Sequence, residues 1–138
     1  MPQYDLYHNQ VKHALIKEGW EITHDPFTIE FGDVRLFADL GAERVIAAAK
    51  QEQKIVVEIK VFGGLSLITE LEKTIGQYNI YRLFLKETDP KRVLFLAIAQ
   101  DVYQDFFQRM AIKKIISDQQ IKLLIFDPEI EEIIQWIS

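Results

Sequence analysis

The sequence contains no cysteine. Disulfides, thiolate zinc sites, iron–sulfur clusters and cysteine nucleophiles are excluded with it. Histidine is scarce, with three residues in the whole chain. His8 and His13 do not share a helix face, so a paired-imidazole metal site has no material to build on. His24, before Asp25-Pro26, reads as a turn residue. The six glycines and four prolines punctuate the chain without forming a linker. The longest apolar run goes only from Val93 to Ala99, far short of the roughly 20 residues a membrane-crossing helix needs. The opening MPQYDLYHNQVKHALIKEGW mixes acids, amides and lysines where a secretory leader needs an apolar run, so the expected location is cytoplasmic. Positive charge is also short: 16 Lys and Arg stand against 21 Asp and Glu, for a net charge of −5. Lys91-Arg92 and Lys113-Lys114 are the basic doublets, a thin footprint for a passive nucleic-acid coat. An enzyme that meets phosphate through a divalent metal is compatible with this balance, because its site is acidic before the metal arrives.

What remains is an ordinary globular composition, 49% hydrophobic and 27% charged over 138 residues, which fits one domain spanning residues 1–138. Leu6, Val11, Leu15 and Ile16 recur near helical spacing, and Gly19 ends that first helix. Three alternating segments follow: 20–24, 27–31 and 34–38, punctuated by Asp25-Pro26 and Gly32-Asp33. They predict a β-meander. Residues 43–49 fit a strand or a helix, and the polar turn at 50–53 into an obvious strand at 54–62, broken by Gly63-Gly64, favours a strand. Leu67, Ile68, Leu71, Ile75, Tyr78 and Leu85 predict a long helix over 65–85, stopped by Thr88-Asp89-Pro90. Residues 93–99 read as a strand covered on both faces. Residues 101–116 read as one helix with Val102, Phe106, Met110 and Ile112 inward, and 121–126 as another strand. The last segment, 131–137, fits either a strand or a short helix. The order predicts an α/β domain with a mixed sheet: an N-terminal helix, a β-meander, and a crossover helix joining two central strands.

The strand at 54–62 carries the most informative chemistry. Alternation sends Ile55, Val57, Ile59 and Val61 to one face and Val56, Glu58, Lys60 and Phe62 to the other. Glu58 and Lys60 are then neighbours, roughly 6.5–7 Å apart along the strand. Charges on a covered face are costly unless paired or coordinating. A structural Glu58–Lys60 pair is the plain alternative. Asp39, at the end of a strand before Leu40-Gly41, is placed to return beside them through one hairpin. Two carboxylates and the Ile59 carbonyl make a partial hard-oxygen cage suited to Mg²⁺ or Mn²⁺. A lysine beside such an ion can orient a water and stabilise charge on a pentavalent phosphate. Glu43 is a candidate extra ligand or a partner of Lys60, with Arg44 available to neutralise it. Tyr4, Tyr7, Trp20, Tyr81 and Tyr103 offer base-stacking surfaces, but no basic cluster interleaves with them in sequence, which favours core and interface roles.

The arrangement Asp39 … Glu58-Ile59-Lys60 resembles the D…(D/E)-x-K core of the PD-(D/E)XK nuclease superfamily, the restriction-endonuclease-like fold. The stretches Gly19-Trp20 with Thr23-His24-Asp25-Pro26, Ala38-Asp39-Leu40-Gly41-Ala42-Glu43, Val57-Glu58-Ile59-Lys60, Gly76-Gln77-Tyr78-Asn79-Ile80-Tyr81-Arg82 and Gln135-Trp136-Ile137 resemble the XisH family. Its members are known as fdxN element excision controlling factors of cyanobacteria. The likeness covers nearly the whole chain. It implies a restriction-endonuclease-like mixed sheet flanked by helices and a role in excision of a DNA element. It also implies a small XisI-like partner protein and a homodimer, since cutting two strands takes two sites. By resemblance, Asp39 and Glu58 with Ile59 would bind the metal, Lys60 would orient the water and Gln77 would assist. By the same resemblance Asp5 on the first helix would be an accessory acid; the plain alternative is an early acid that stabilises the helix. Ala38 stands where the superfamily often has proline, and Val61 where a small polar residue is common. The implied activity is a metal-dependent DNA endonuclease or nickase. The alternative is a catalytically silent nuclease-fold subunit that binds a partner, DNA or both.

Overall fold

The computed structural model describes residues 6–138. Helix α1 (His8–Lys17) opens the described chain. Strand β1 (Glu21–His24) follows, then a hairpin of β2 (Phe27–Phe31) and β3 (Val34–Ala38), then the longer hairpin of β4 (Leu40–Ile46) and β5 (Gln51–Ile59). Helix α2 (Leu67–Thr88) crosses to β6 (Arg92–Ala99). Helices α3 (Gln100–Gln104) and α4 (Met110–Asp118) are split by a 3-10 turn, and β7 (Leu123–Asp127) and β8 (Glu132–Ile137) complete the chain. The main sheet has the order β1-β4-β5-β6-β7-β8. Its β5–β6 and β6–β7 pairs are parallel and the others antiparallel. This is the expected mixed sheet flanked by helices, and the last segment is a strand.

Two apolar layers sandwich the sheet. On one face Val57, Ile59, Phe95, Ala97, Leu124 and Phe126 pack under Val11 and Leu15 of α1. On the other, Val56, Leu94, Leu96, Leu123 and Ile125 pack under Leu71, Tyr78, Tyr81 and Leu85 of α2. The central strands are buried on both sides, which explains the uniformly apolar run in β6. Tyr78 ties α2 to β6 and to the residue just before β7: its hydroxyl donates to the Leu94 carbonyl at 2.8 Å and accepts the Lys122 N–H at 3.1 Å. Burial raises its phenol pKa above the ordinary value.

Several expectations are corrected. The β2–β3 hairpin does not continue the main sheet as a meander; it forms its own two-stranded sheet. Its inward residues Phe27, Ile29 and Ala38 bury against Val56, Tyr78 and Tyr81 instead. The turn of the next hairpin falls at 47–50, with Lys50 at φ 52°. Backbone pairing of Ile46 with Gln51 extends β5 through the polar residues that the pattern alone reads as a turn. The segment 101–116 is not one helix. Phe106 and Phe107 are adjacent and both buried, and adjacent side chains on an α-helix point about 100° apart. The chain tightens into a 3-10 turn, Phe106–Gln108, and both rings reach the core. Met110, expected inward, is exposed. Leu6 lies in the turn before α1 and is exposed, Ile16 faces outward from the helix, and His8 takes the inward place. It bonds Asp25 at 2.7 Å, beside Lys12 at 2.8 Å. No helix among the described residues is long and apolar enough to cross a membrane.

Candidate functional site

Asp39 occupies a bend between β3 and β4. In the β4–β5 ladder Leu40 lies opposite Val57, and one more step of that register sets Asp39 opposite Glu58. The next step would need residue 38, but Ala38 already belongs to the separate hairpin. The Ile59 N–H therefore lacks a strand partner on that side, and the Asp39 carboxylate supplies one: Oδ2 accepts it at 2.7 Å. The same bond carries the Asp39 carboxylate to the end of β5, beside Glu58.

Alternation along β5 holds as expected. Ile55, Val57 and Ile59 face α1, while Val56 and Phe62 are in the layer beneath α2. Glu58 and Lys60 share the latter side and are half-buried. Lys60 lies just past β5 and prolongs its pairing, donating its backbone N–H to the Ala97 carbonyl at 3.0 Å. Among the described residues the Lys60 ammonium forms no ion pair.

Helix α2 supplies the third side. The Tyr81 hydroxyl donates to the Phe37 carbonyl at 3.0 Å and accepts from Gln77 Nε2 at 3.0 Å. Burial raises the Tyr81 pKa; the Gln77 bond opposes this, and the charges of Glu58 and Asp39 both add to it. The β4–β5 register that sets Asp39 opposite Glu58 puts both on the α2 side of the sheet, the side on which Tyr81 packs. Gln77 reaches this group through Tyr81. Sequence reasoning left Tyr81 as core or stacking surface and missed this linking position. The available signal was its spacing of four from Gln77, which puts both on one helix face.

Glu43 does not join them. It lies opposite Lys54, three register steps along β4 from Leu40. It pairs with Arg92 at 3.2 Å and Lys54 at 3.7 Å. A hydrogen bond with Glu52 and the cations of Arg92 and Lys54 hold its pKa below the ordinary value, against the effect of burial. Glu43 keeps the same strand parity as Asp39, but it stands opposite Lys54 where Asp39 stands opposite Glu58, four residues or roughly 13 Å along the strand. Arg44 does not neutralise Glu43 either; it stacks on Trp20 at 4.4 Å and bonds Gln53. Asp5 and Tyr4 fall outside the described residues. Of the other aromatics, Tyr7 packs edge-on against Phe126 and Trp20 against Trp136, so they belong to the interior.

Among the described residues no three His, Asp or Glu side chains form a group that could hold a metal. The oxygen set at this end of the sheet is two carboxylates and the nearby Ile59 carbonyl. These hard donors match Mg²⁺ or Mn²⁺ in kind, and water or phosphate oxygens would have to complete an octahedron.

Comparison with known proteins agrees with this architecture. The XisH protein family profile matches residues 1–134. The crystal structure of an XisH family protein from Nostoc punctiforme superposes with a TM-score of 0.88 at 43% identity, covering 97% of this chain and 100% of that one. A structure described as an fdxN element excision controlling factor protein from Anabaena variabilis gives a TM-score of 0.88 at 44% identity, covering 98% and 100%. No curated protein matches the sequence significantly. A profile match over nearly the whole length, with full-length structural likeness at this identity, places the chain in the XisH family.

Proposed function

We propose that this protein acts in controlled excision of a DNA element, as a metal-dependent phosphodiesterase that cuts or nicks DNA. The observation that carries the reading is the Asp39–Ile59 bond, which brings the Asp39 carboxylate to Glu58 at the open end of β5. In this reading Asp39, Glu58 and the Ile59 carbonyl hold Mg²⁺ or Mn²⁺, which supplies charge neutralisation at the scissile phosphate. The Lys60 ammonium has no ion-pair partner among the described residues. It is available to orient a water and to stabilise developing negative charge. Gln77 and Tyr81 position the Asp39 side by anchoring the Phe37 carbonyl, two residues upstream.

The test is purified protein incubated with duplex, single-stranded and branched DNA in Mg²⁺ or Mn²⁺, alone and with an XisI-like partner protein. Cleavage is expected, with losses of about 10²-fold or more in Asp39→Asn, Glu58→Gln and Lys60→Met. Absence of cutting across all these substrates would refute the enzymatic reading.

A second reading, a catalytically silent nuclease-fold subunit, is favoured by the lack of a third acidic or imidazole side chain beside Asp39 and Glu58 among the described residues. Calorimetry with Mn²⁺ separates the two: uptake that disappears in Asp39→Asn and Glu58→Gln supports the enzyme, and no uptake supports the silent subunit.

A further inference from the structure

The opposite end of the sheet, where β6 and β7 begin, has a different character. Three grooves of about 750, 440 and 260 Å³ meet there, and Lys122 lies on the wall of each. Eight of the chain's 16 Lys and Arg line them, with Glu52 the single acid among the lining residues. Arg44, Lys54 and Arg92 are paired with Glu18, Glu43 and Asp89, which leaves Arg82, Lys86, Lys91, Lys113 and Lys122 without an ion pair among the described residues. A chain of net charge −5 thus gathers five cations without ion pairs among the described residues at one pole, although they are scattered in sequence.

The grooves also have apolar floors. Helix α1 covers only part of its face of the sheet, and the uncovered part exposes Val93 beside Phe95 and Trp136. On the α2 side, Ile116, Ile121 and Ile137 line the largest groove, under Arg82, Lys113 and Lys122. We infer that this pole is a docking surface for an acidic protein segment that carries apolar side chains.

Two features favour a polypeptide over a nucleic acid. Base stacking needs an open aromatic face, and most of the rings here lack one; Tyr103 and Trp136 are half-buried, with Trp136 packed against Trp20 and Phe95. Trp20 is 5% exposed and lies beneath Arg44, Phe95 is 9% exposed, and Phe107 is 2% exposed. Exposed Val93 and half-buried Ile116 and Ile137 add aliphatic surface beside them. The concavities are also separate sockets around one lysine, whereas a polynucleotide backbone is tracked by a continuous positive groove. Separate sockets suit apolar side chains, and the cationic rim suits intervening carboxylates.

The experiment is selection of a random dodecapeptide library on the full chain, with binding then read by intrinsic fluorescence. The chain has two tryptophans, Trp20 and Trp136, and both line the 440 Å³ groove. Enriched peptides are expected to be acidic with interspersed apolar residues and to shift the tryptophan emission saturably. They should lose affinity about tenfold or more to the K91E/K122E protein, less to K91Q/K122Q, and weaken as salt rises. Matched melting curves establish that both variants fold. No enrichment, enrichment without acidic bias, or equal binding by the folded K91E/K122E protein overturns the inference. So does preferential binding of a thymidine oligonucleotide lost in the same variant, which marks a nucleic-acid surface. Asp39→Asn should retain peptide binding, so failure of the nuclease reading leaves this result intact.

Discussion

Arg92 shows how much one side chain can be asked to hold. It is buried, and it reaches Glu43 at 3.2 Å, Asp89 at 3.1 Å and the Ile55 carbonyl at 3.0 Å while lying over the Phe27 ring. It therefore ties β4, β5 and the end of α2 to the β2–β3 hairpin. Removing one partner of a buried ion network leaves the others uncompensated. Arg92→Ala is expected to cost about 3–5 kcal/mol in chemical denaturation, whereas Lys60→Met, at an ammonium with no ion pair among the described residues, should stay within about 1 kcal/mol. Equal costs would show that the network is not what holds the hairpin. The residue scale is also where sequence reasoning was weakest. Glu43 and Asp39 carry the same charge a few residues apart, and the β4–β5 register sets Asp39 beside Glu58 and Glu43 beside Lys54 and Arg92.

Among the elements, α2 was legible from its spacing and its ends. Ser66 caps it through the Thr69 N–H, and Glu70 reaches back to the Gly64 N–H at 3.0 Å, so the loop between β5 and α2 is pinned at the site end of the sheet. Gly76 sits in the middle of this helix, exposed, with nothing within 4 Å of an added Cβ. Gly76→Ala is expected to raise stability by about 0.5–1 kcal/mol through helix propensity, seen as a higher denaturation midpoint. Gly41 behaves oppositely: a Cβ there would meet Phe27 at 2.6 Å and His24 at 3.1 Å, so Gly41→Ala should destabilise. If Gly41→Ala were neutral, the hairpin's close approach to β4 would be wrong. Elements whose burial depends on distant partners were misread. The break at 105–109 comes from burying two neighbouring rings, and the detached β2–β3 hairpin comes from an apolar face that finds α2.

At the scale of the whole molecule, charge decides both acid sensitivity and polarity. Asp25 is pushed up by burial but, on balance, held below its ordinary 3.8 by Lys12 and His8. Glu43 is held below its ordinary 4.5 by Glu52 and the cations around it. A carboxylate with a depressed folded pKa stabilises the fold fully above its unfolded pKa and loses that contribution as pH falls through the folded value. Melting temperature is therefore expected to decline as pH drops below about 4.5. The decline should flatten in Asp25→Asn and Glu43→Gln. An unchanged slope in both variants would place the acid sensitivity elsewhere. The same distribution sets two poles, with carboxylates and Lys60 at the strand ends near Asp39 and cationic grooves around Lys122.

By itself the sequence determined the α/β class, the alternation that puts Glu58 and Lys60 on one side of β5, the long crossover helix, and the likeness that marks Asp39 and Glu58. These are local periodicities and local spacings, and a short window contains all the physics they need. Tertiary structure decided the rest: that Asp39 closes onto Ile59, that Glu43 joins Arg92, that Tyr81 feels both carboxylates, and that scattered lysines converge on one pole. Those outcomes depend on which strand end lies beside which, and strand register and order are set by burial of residues far apart in the chain.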